Sequence, residues 1–427
     1  MRQTSSWMYA KVTNIGRSFR TTRRLSFPDL CQLPDSLLDG DTDIFCDLAP
    51  LEAATQDVIN KIADKVVKLW YCNIFHERSS VMKMVASALN KMERVQELKI
   101  YGKFLWFHDR LAFPCKLLPF HSVMMQNLSS LKCLTLEGVT MITLKSFQFN
   151  SLTHVTLRSV KGDVSQLLLN CQETLQCLRY GVFCQSDMTF IQHLEMLNRL
   201  NAVHIDDLSD IHIMQGLLNN LGYQVNSLKL VDCKLPPAVP RMKASIKKLE
   251  VVNVLDCQQL LTKLCTSLEY LSISCCGNDL FSNESCTFPK LKVLHVYGED
   301  AVEMRIFLSK TPNLQVLHLN YTNGELDMKS KGSCLGIESI KLVIGDEVPV
   351  GWKAFLETSF STLRRLEVVV PDTAEAKTTL HQMLSKCHEN LEFLKVRIDY
   401  CSSKSFHVMT ELVSTMKLVF CNLNRIV

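Results

Sequence analysis

The stretch Leu291-Lys292-Val293-Leu294-His295-Val296 carries the pattern that decides the fold: apolar, two variable positions, apolar, one variable position, apolar. Similar six-residue phrases recur along the chain at intervals of 21 to 28 residues. The twelve copies begin at Leu131, Leu152, Leu175, Leu200, Val225, Ile246, Leu268, Leu291, Leu314, Ile337, Leu363 and Leu391. A recurrence of this length indicates structural units that stack on one another.

Each copy predicts a short buried β-strand followed by a return segment. The second and third apolar residues stand two positions apart, so their side chains point to the same side of a strand. One such strand cannot bury its apolar side alone, whereas neighbouring copies stacked in a parallel sheet can. Apolar residues three and four positions apart between the strands predict amphipathic helices within 164–171, 213–221, 260–265, 304–308 and 380–384.

Two weaker copies precede this array. Val95 begins one of them. Val66 begins the other, which is open to two interpretations: a strand over 66–71, or one amphipathic helix over 56–71. The interval that follows the Val95 copy is 36 residues, which predicts an insertion at 102–128.

The array resembles the leucine-rich repeat superfamily, and its irregular form resembles the repeat domain of F-box/leucine-rich-repeat proteins. The mean interval is about 24 residues, within the roughly 20–29 typical of such repeats. The resemblance covers 66–427 and implies a repeat domain over 56–427, with about 12–14 repeats and a cap at 400–427. It implies an α/β fold, a leucine-rich repeat solenoid (horseshoe) with a parallel β-sheet on the concave face and helices on the convex face.

A basic segment occupies residues 1–28, which contain six basic residues and no acid. This composition predicts a disordered tail, with a mitochondrial transit peptide as the alternative. Within it, Arg23-Arg24-Leu25-Ser26 resembles a basic-directed kinase site, so Ser26 is a candidate phosphorylation site.

Residues 29–55 are either an acidic linker or a degenerate F-box-like segment. Leu33-Pro34 and Ile44-Phe45 are similar to the opening of an F-box. The acidic run Asp39-Gly40-Asp41-Thr42-Asp43 interrupts that similarity, and the later F-box helices are not recognisable.

Composition restricts the classes of function. The chain has 427 residues, 47% of them apolar, which is enough for an extended core. Its net charge of +4, from 47 basic and 43 acidic residues, is too balanced to indicate nucleic-acid binding. No apolar run of membrane-spanning length and no signal-peptide core occurs, and the 18 cysteines lack zinc-finger spacing. We therefore expect a cytoplasmic or nuclear protein with reduced cysteines, with no cofactor or metal, and with a mitochondrial location as the alternative.

The strand register predicts one candidate surface. The residue between the second and third apolar positions faces away from the core, on the predicted concave side. This column reads Lys99, Thr135, Thr156, Arg179, His204, Lys229, Glu250, Ser272, His295, His318, Lys341, Glu367 and Lys395, and it places His295 beside His318. Flanking positions on the same side add Asp206, Tyr270, Tyr297, Asn320, Phe393 and Arg397. Aromatic residues beside charges are typical of protein interfaces, so these residues form the candidate protein-binding surface.

No G-x-S-x-G, H-E-x-x-H or phosphate-loop motif occurs, which favours a protein that is not an enzyme. The repeats predict a protein–protein interaction module, a monomer within a hetero-complex, with a protein partner on the concave face. The family resemblance implies substrate recognition for a cullin-type (SCF) ubiquitin ligase, with the F-box adaptor and a cullin as further partners. The alternative is a repeat scaffold or mitochondrial assembly factor with no role in ubiquitin conjugation.

Overall fold

The computed structural model of the protein describes residues 22–26, 43–47, 66–72, 89–101, 118–121, 127–142, 148–162, 164–181, 189–254, 257–274, 286–297, 310–321, 336–344, 362–371, 378 and 391–399. The backbone divides into two compact units, Met1–Arg199 and Leu200–Val427. We call them the amino-terminal unit and the carboxy-terminal unit.

The amino-terminal unit contains parallel strands that follow one another in chain order. In the described residues, its larger group of paired strands is β1 (Thr22–Ser26), β2 (Asp43–Asp47), β3 (Val66–Cys72), β4 (Glu97–Tyr101), β6 (Cys133–Glu137), β8 (His154–Arg158) and β10 (Cys177–Gly181). A second, smaller parallel sheet consists of β5 (Leu118–His121), β7 (Val139–Ile142) and β9 (Lys161–Gly162). Its strands β7 and β9 come directly after β6 and β8 in the chain, and the sequence analysis did not predict this sheet.

The carboxy-terminal unit repeats one strand pairing along its described residues, and every consecutive pair is parallel. Its strands are β11 (Ala202–Asp206), β12 (Ser227–Val231), β13 (Lys248–Val252), β14 (Tyr270–Ser274), β15 (Val293–Tyr297), β16 (Val316–Tyr321), β17 (Ser339–Ile344), β18 (Arg365–Pro371) and β19 (Phe393–Asp399). Every strand contains the second half of one six-residue phrase. Both units are therefore consistent with the predicted α/β repeat solenoid.

Helices occur in three of the return segments for which the sequence predicts them: α1 (Val164–Leu169), α2 (Ile211–Asn220) and α3 (Gln258–Leu264). Asp210 caps α2, because its carboxylate accepts hydrogen bonds from the backbone N–H groups of His212 and Ile213. A 3₁₀ helix spans Thr189–Met196. The predicted helices within 304–308 and 380–384 lie outside the described residues. In the part of the chain that the structure describes, no helix is both long and apolar enough to cross a membrane.

The core consists of the apolar positions of the phrase. On β12, Leu228 and Leu230 have no exposed surface, whereas Ser227 and Lys229, which alternate with them, are partly exposed. The same alternation holds on β13 and β14. In-register pairing places Leu228 against Val203 on one neighbouring strand and Leu249 on the other, so the core is continuous across the repeats.

Hydroxyl groups link consecutive repeats at the residue before the first apolar position. The Thr174 hydroxyl donates to the carbonyl oxygen of Leu152, 2.8 Å away. Ser267 makes the equivalent bond to Ile246 over 2.7 Å, and Thr362 is in the corresponding position farther along the chain. These bonds satisfy carbonyl groups at the start of a strand, where the sheet offers no backbone partner.

Replacing Thr174 with Val tests this link. The variant keeps the branched shape of the side chain and removes the donor, so we expect the free energy of unfolding to fall by about 1–2 kcal/mol. Thr156→Val is the matched control, because Thr156 lies on the outer side of β8 and should change stability by less than about 0.5 kcal/mol. The measurement is the shift in urea midpoint, and equal shifts for the two variants would rule the link out.

A left-handed turn follows several strands. The residues at this position have positive φ: Gly138 (64°), Ser159 (49°), Asp207 (55°), Asp232 (52°) and Asn253 (49°). In each case the backbone N–H bonds to the last carbonyl of the strand that pairs with the one just ended, as Asp232 does to Val252 over 2.9 Å. Gly, Asp and Asn tolerate this conformation better than other residues, which explains four of the five, and Ser159 is the exception. The Asn253 side-chain amide also donates to the Asp232 carboxylate over 2.6 Å.

The segments before the repeats add strands to the amino-terminal unit. The backbone of Val66–Cys72 is a strand, which confirms the strand interpretation of 66–71 over the helical one. Thr22–Ser26, within the predicted basic tail, pairs in parallel with Asp43–Asp47. The second of these strands contains the Ile44-Phe45 half of the F-box-like similarity, where an F-box would be helical. The rest of both segments lies outside the described residues, and so does the predicted cap at 400–427.

The predicted insertion at 102–128 contributes the strand Leu118–His121, which pairs with Val139–Ile142. Part of the insertion therefore forms the edge of the smaller sheet. The other residues of the insertion, apart from those that end it at 127–128, lie outside the described residues.

Candidate functional site

The residues predicted to form a column lie in one row on the strands of each unit. In the carboxy-terminal unit each member pairs directly with the next, and we call this set the central row: His204, Lys229, Glu250, Ser272, His295, His318, Lys341, Glu367 and Lys395. In the amino-terminal unit the corresponding row is Lys99, Thr135, Thr156 and Arg179. Both rows lie on the side of the strands opposite the buried leucines.

Two further rows flank the central row of the carboxy-terminal unit. The upstream row, two residues earlier on each strand, is Ala202, Ser227, Lys248, Tyr270, Val293, Val316, Ser339, Arg365 and Phe393. The downstream row, two residues later, is Asp206, Val231, Val252, Ser274, Tyr297, Asn320, Val343, Val369 and Arg397. We call the three rows together the outer face. For Arg397, and for Ser26 on β1, the structure describes the backbone alone.

An aromatic cluster occupies the middle of the outer face. The rings of His295 and His318 are stacked, with centroids 4.1 Å apart and planes inclined by 11°. Tyr270 meets His295 edge-on at 5.1 Å between centroids, and its hydroxyl oxygen lies 3.0 Å from His295 Nδ1. The Lys248 ammonium lies 4.8 Å from the centre of the Tyr270 ring, a cation–π arrangement. Four strands thus contribute to one packed cluster.

The two imidazoles favour the neutral form. Burial, followed by the effect of the neighbouring His318, lowers the pKa of His295 to about 4. Burial, followed by the positive charge of Lys341, lowers the pKa of His318 as well. Glu250 acts on His295 in the opposite direction but does not outweigh burial. At neutral pH the stacked pair is therefore an uncharged part of the face.

A charged cluster lies on each side of these rings. On one side, Glu250 accepts from Lys229 over 3.0 Å and from Lys248 over 2.8 Å. Burial acts to raise the pKa of Glu250, but the two lysines outweigh it and lower the pKa below the ordinary value. The carboxylate is therefore ionised at neutral pH and is paired with two cations.

The opposite cluster is built around Glu367. Arg365 donates to its carboxylate over 2.6 Å, and this hydrogen bond lowers the pKa of Glu367. The Arg365 guanidinium also lies 4.1 Å from the ring centre of Phe393 on the next strand. Lys341 and Lys395 are the cross-strand neighbours of Glu367 in the central row. Three cationic side chains therefore lie near the single carboxylate of Glu367, so the cluster carries net positive charge.

His204 and Asp206 lie at one end of the central and downstream rows. Nε2 of His204 and Oδ1 of Asp206 are 2.6 Å apart, and Asp206 is buried. In the amino-terminal unit, Glu97 bonds Lys68 over 2.8 Å and Lys99 over 2.7 Å. Arg179 is partly buried on β10, and its charge acts on the buried Glu137. Ion pairs between lysine and glutamate are thus present in both units.

The outer face combines stacked rings, cation–π contacts and ion pairs. Among the described residues, no group of three or more His, Cys, Asp or Glu side chains is placed to hold a metal ion. An open depression beside the upstream row is lined by Glu269, Pro289, Lys290, Lys292, Asn313 and Gln315. The ammonium groups of Lys247 and Lys292 lie 3.4 and 3.9 Å from the Glu269 carboxylate. This carboxylate therefore already has two cations close to it.

The sequence analysis missed part of the upstream row. It identified Tyr270 and Phe393 but not Lys248 or Arg365, whose cations contact those rings. The sequence did contain a signal for these two residues. Each lies two positions before a predicted member of the central row, and residues two apart point to the same side of a strand.

Acidification provides a test of the His295 environment. The folded pKa of about 4 lies below the ordinary 6.5, so the unfolded chain takes up a proton first as the pH falls. Stability should therefore decrease from about pH 6.5 toward pH 4, a window largely above the depressed pKa values of Glu250 and Glu367. We expect His295→Gln to lose less thermal stability than the wild type between pH 7 and pH 5.

The matched control for this experiment is His212→Gln, since His212 is exposed on α2. This variant should keep the wild-type dependence of melting temperature on pH. An unchanged pH dependence in His295→Gln would contradict the expected environment of His295.

Comparison with known proteins adds no family assignment: no protein-family profile matches the chain, and no curated protein matches it significantly.

Proposed function

We propose that the protein is a non-catalytic protein-binding repeat of the leucine-rich type. In this proposal the strands line the concave side of a horseshoe, the helices cover its convex side, and the outer face contacts a protein partner. One observation supports it above the others: a half-buried, uncharged cluster of rings lies in the middle of the outer face, with ion pairs on both sides. Apolar or aromatic centres with polar rims are the usual composition of protein interfaces.

The ubiquitin-ligase setting is a narrower form of this proposal and depends on the F-box-like similarity at 29–55. The strand Asp43–Asp47 occupies half of that similarity, which weighs against a helical F-box. We therefore put forward the binding scaffold as the function and leave the adaptor and cullin as outcomes of the test below.

Comparative capture tests the proposed function. Tagged full-length chain, Tyr297→Ala and Tyr223→Ala are purified from the same cells, and the captured proteins are quantified by mass spectrometry. Tyr297 lies on the outer face and is 41% exposed, whereas Tyr223 lies beyond α2 and is 83% exposed. We expect a set of proteins that is depleted at least tenfold with Tyr297→Ala and retained with Tyr223→Ala.

Two other results have definite meanings. Identical captured proteins for all three chains would contradict binding through the outer face. If the F-box adaptor and a cullin are captured equally by the full-length chain and by Tyr297→Ala, the chain belongs to a ubiquitin ligase. The proteins that Tyr297→Ala fails to capture would then be its candidate substrates.

A further inference from the structure

The middle of the outer face is free of formal charge over three consecutive strands. The nine outer-face positions of β14, β15 and β16 are Tyr270, Ser272, Ser274, Val293, His295, Tyr297, Val316, His318 and Asn320. Val293 and Val316 are partly exposed, and the Tyr297 side chain is more exposed still. We call this region the neutral centre. It presents rings and methyl groups that gain free energy when a partner covers them.

On the strands next to the neutral centre, basic outer-face residues outnumber acidic ones. On β12 and β13, Lys229 and Lys248 share the single carboxylate of Glu250. On β17, β18 and β19, the bases Lys341, Arg365 and Lys395 are grouped around the single carboxylate of Glu367. Lys341 is exposed. Each flank therefore has an excess of positive charge that can accept an acidic group from a partner.

The separation of the two flanks sets the length of a ligand that reaches both. Adjacent strands lie about 4.8 Å apart, so the four steps from β13 to β17 span about 19 Å. An extended polypeptide advances about 3.3 Å per residue and covers this distance in about six residues.

We propose that the outer face binds an extended protein segment that crosses the strands, with acidic residues about six positions apart and apolar or aromatic residues between them. This inference rests on the proposed function and specifies its partner. The acids pair with the two basic flanks, and the intervening side chains cover the neutral centre. Single-stranded nucleic acid fits less well, because its evenly spaced phosphates would pass over an uncharged region and beside Glu250 and Glu367.

Selection from a random twelve-residue peptide library displayed on phage, with the full chain as bait, tests the proposal. We expect enriched peptides that carry two acidic residues separated by five to seven positions with apolar residues between them. Synthetic copies of the most enriched peptides are then measured by fluorescence anisotropy. Their affinity should fall when salt rises, because part of the attraction is between exposed charges.

Two matched pairs of variants locate the bound peptide. Lys341→Glu on the outer face should weaken binding at least tenfold, whereas Lys234→Glu makes the same charge change beyond the end of β12 and should alter it less than twofold. Tyr297→Ala and Tyr223→Ala form the second pair, with the same expectation. All four positions are exposed, so each variant should fold, which circular dichroism verifies.

The outcomes separate this inference from the proposed function. Enriched peptides that lack the paired acids but lose binding with Tyr297→Ala would overturn the inference and leave the proposed function standing. Absence of enrichment, or peptide binding that is insensitive to both outer-face variants, would overturn the inference, whereas the proposed function is overturned only if the capture experiment also finds no Tyr297-dependent proteins. Binding of a twelve-nucleotide oligouridine that is tighter than that of the selected peptides and is weakened by Lys341→Glu would overturn both proposals in favour of nucleic acid.

Discussion

Leu228→Ala should lower the free energy of unfolding of the protein by about 2–5 kcal/mol. Leu228 has no exposed surface and stands between Val203 and Leu249 on the two neighbouring strands. Its replacement removes apolar contacts and leaves a cavity that the rigid parallel strands cannot close. Because each repeat contacts only its neighbours, the loss weakens two repeat interfaces at once. The shift in urea midpoint measures the effect.

The neighbouring substitution Lys229→Ala serves as the control. Lys229 follows Leu228 directly but points to the opposite side of the strand, where its partly exposed ammonium pairs with Glu250 over 3.0 Å. Exposed ion pairs contribute little, so we expect a change below about 1 kcal/mol. Comparable losses for the two variants would contradict the strand register, because a shift of one residue exchanges the buried and outer sides.

Gly162→Ala should produce the second large loss of stability, about 1–3 kcal/mol. Gly162 pairs with Met141 in the smaller sheet of the amino-terminal unit and has a φ of 88°, a conformation that residues with a side chain rarely adopt. A methyl group at this position would also overlap the carbonyl oxygen of Met141. Strain in the backbone and displacement of a paired strand therefore act together.

Gly336→Ala is the control for this substitution. A Cβ atom at Gly336 would meet only the Leu314 carbonyl oxygen at 3.7 Å, an ordinary contact. Because alanine also restricts the unfolded chain, stability should stay the same or rise slightly. Thermal unfolding of both variants measures the difference, and a Gly162→Ala protein as stable as Gly336→Ala would show that the backbone at Gly162 carries no strain.

The strands could be predicted from the sequence because their signal is local. The alternation of Leu228, Lys229 and Leu230 is enough to assign the buried and outer sides of β12, and the same reasoning gives every member of the central row. The pairing of His295 with His318 was predicted for the same reason, because each histidine occupies the same position in its phrase and the two phrases are 23 residues apart. The three described helices likewise follow from apolar residues three and four positions apart.

The smaller sheet could not be predicted in this way. Its strands Leu118–His121, Val139–Ile142 and Lys161–Gly162 carry no common phrase, and the last has two residues. They become strands because neighbouring repeats bring their backbones within pairing distance. The strand at Asp43–Asp47 shows the same limitation, since an isolated Ile44-Phe45 pair suits a helix or a strand equally well.

The sequence by itself determined which side chains are buried and which lie on the outer face, because that assignment needs only the two-residue period of a strand. The tertiary structure decided how those side chains meet: the stacking of His295 on His318, the edge-on contact of Tyr270 and the pairing of Arg365 with Glu367. These contacts depend on ring orientation and on charges brought together from separate repeats. Such quantities arise only when the repeats are stacked in register and water is removed from between them.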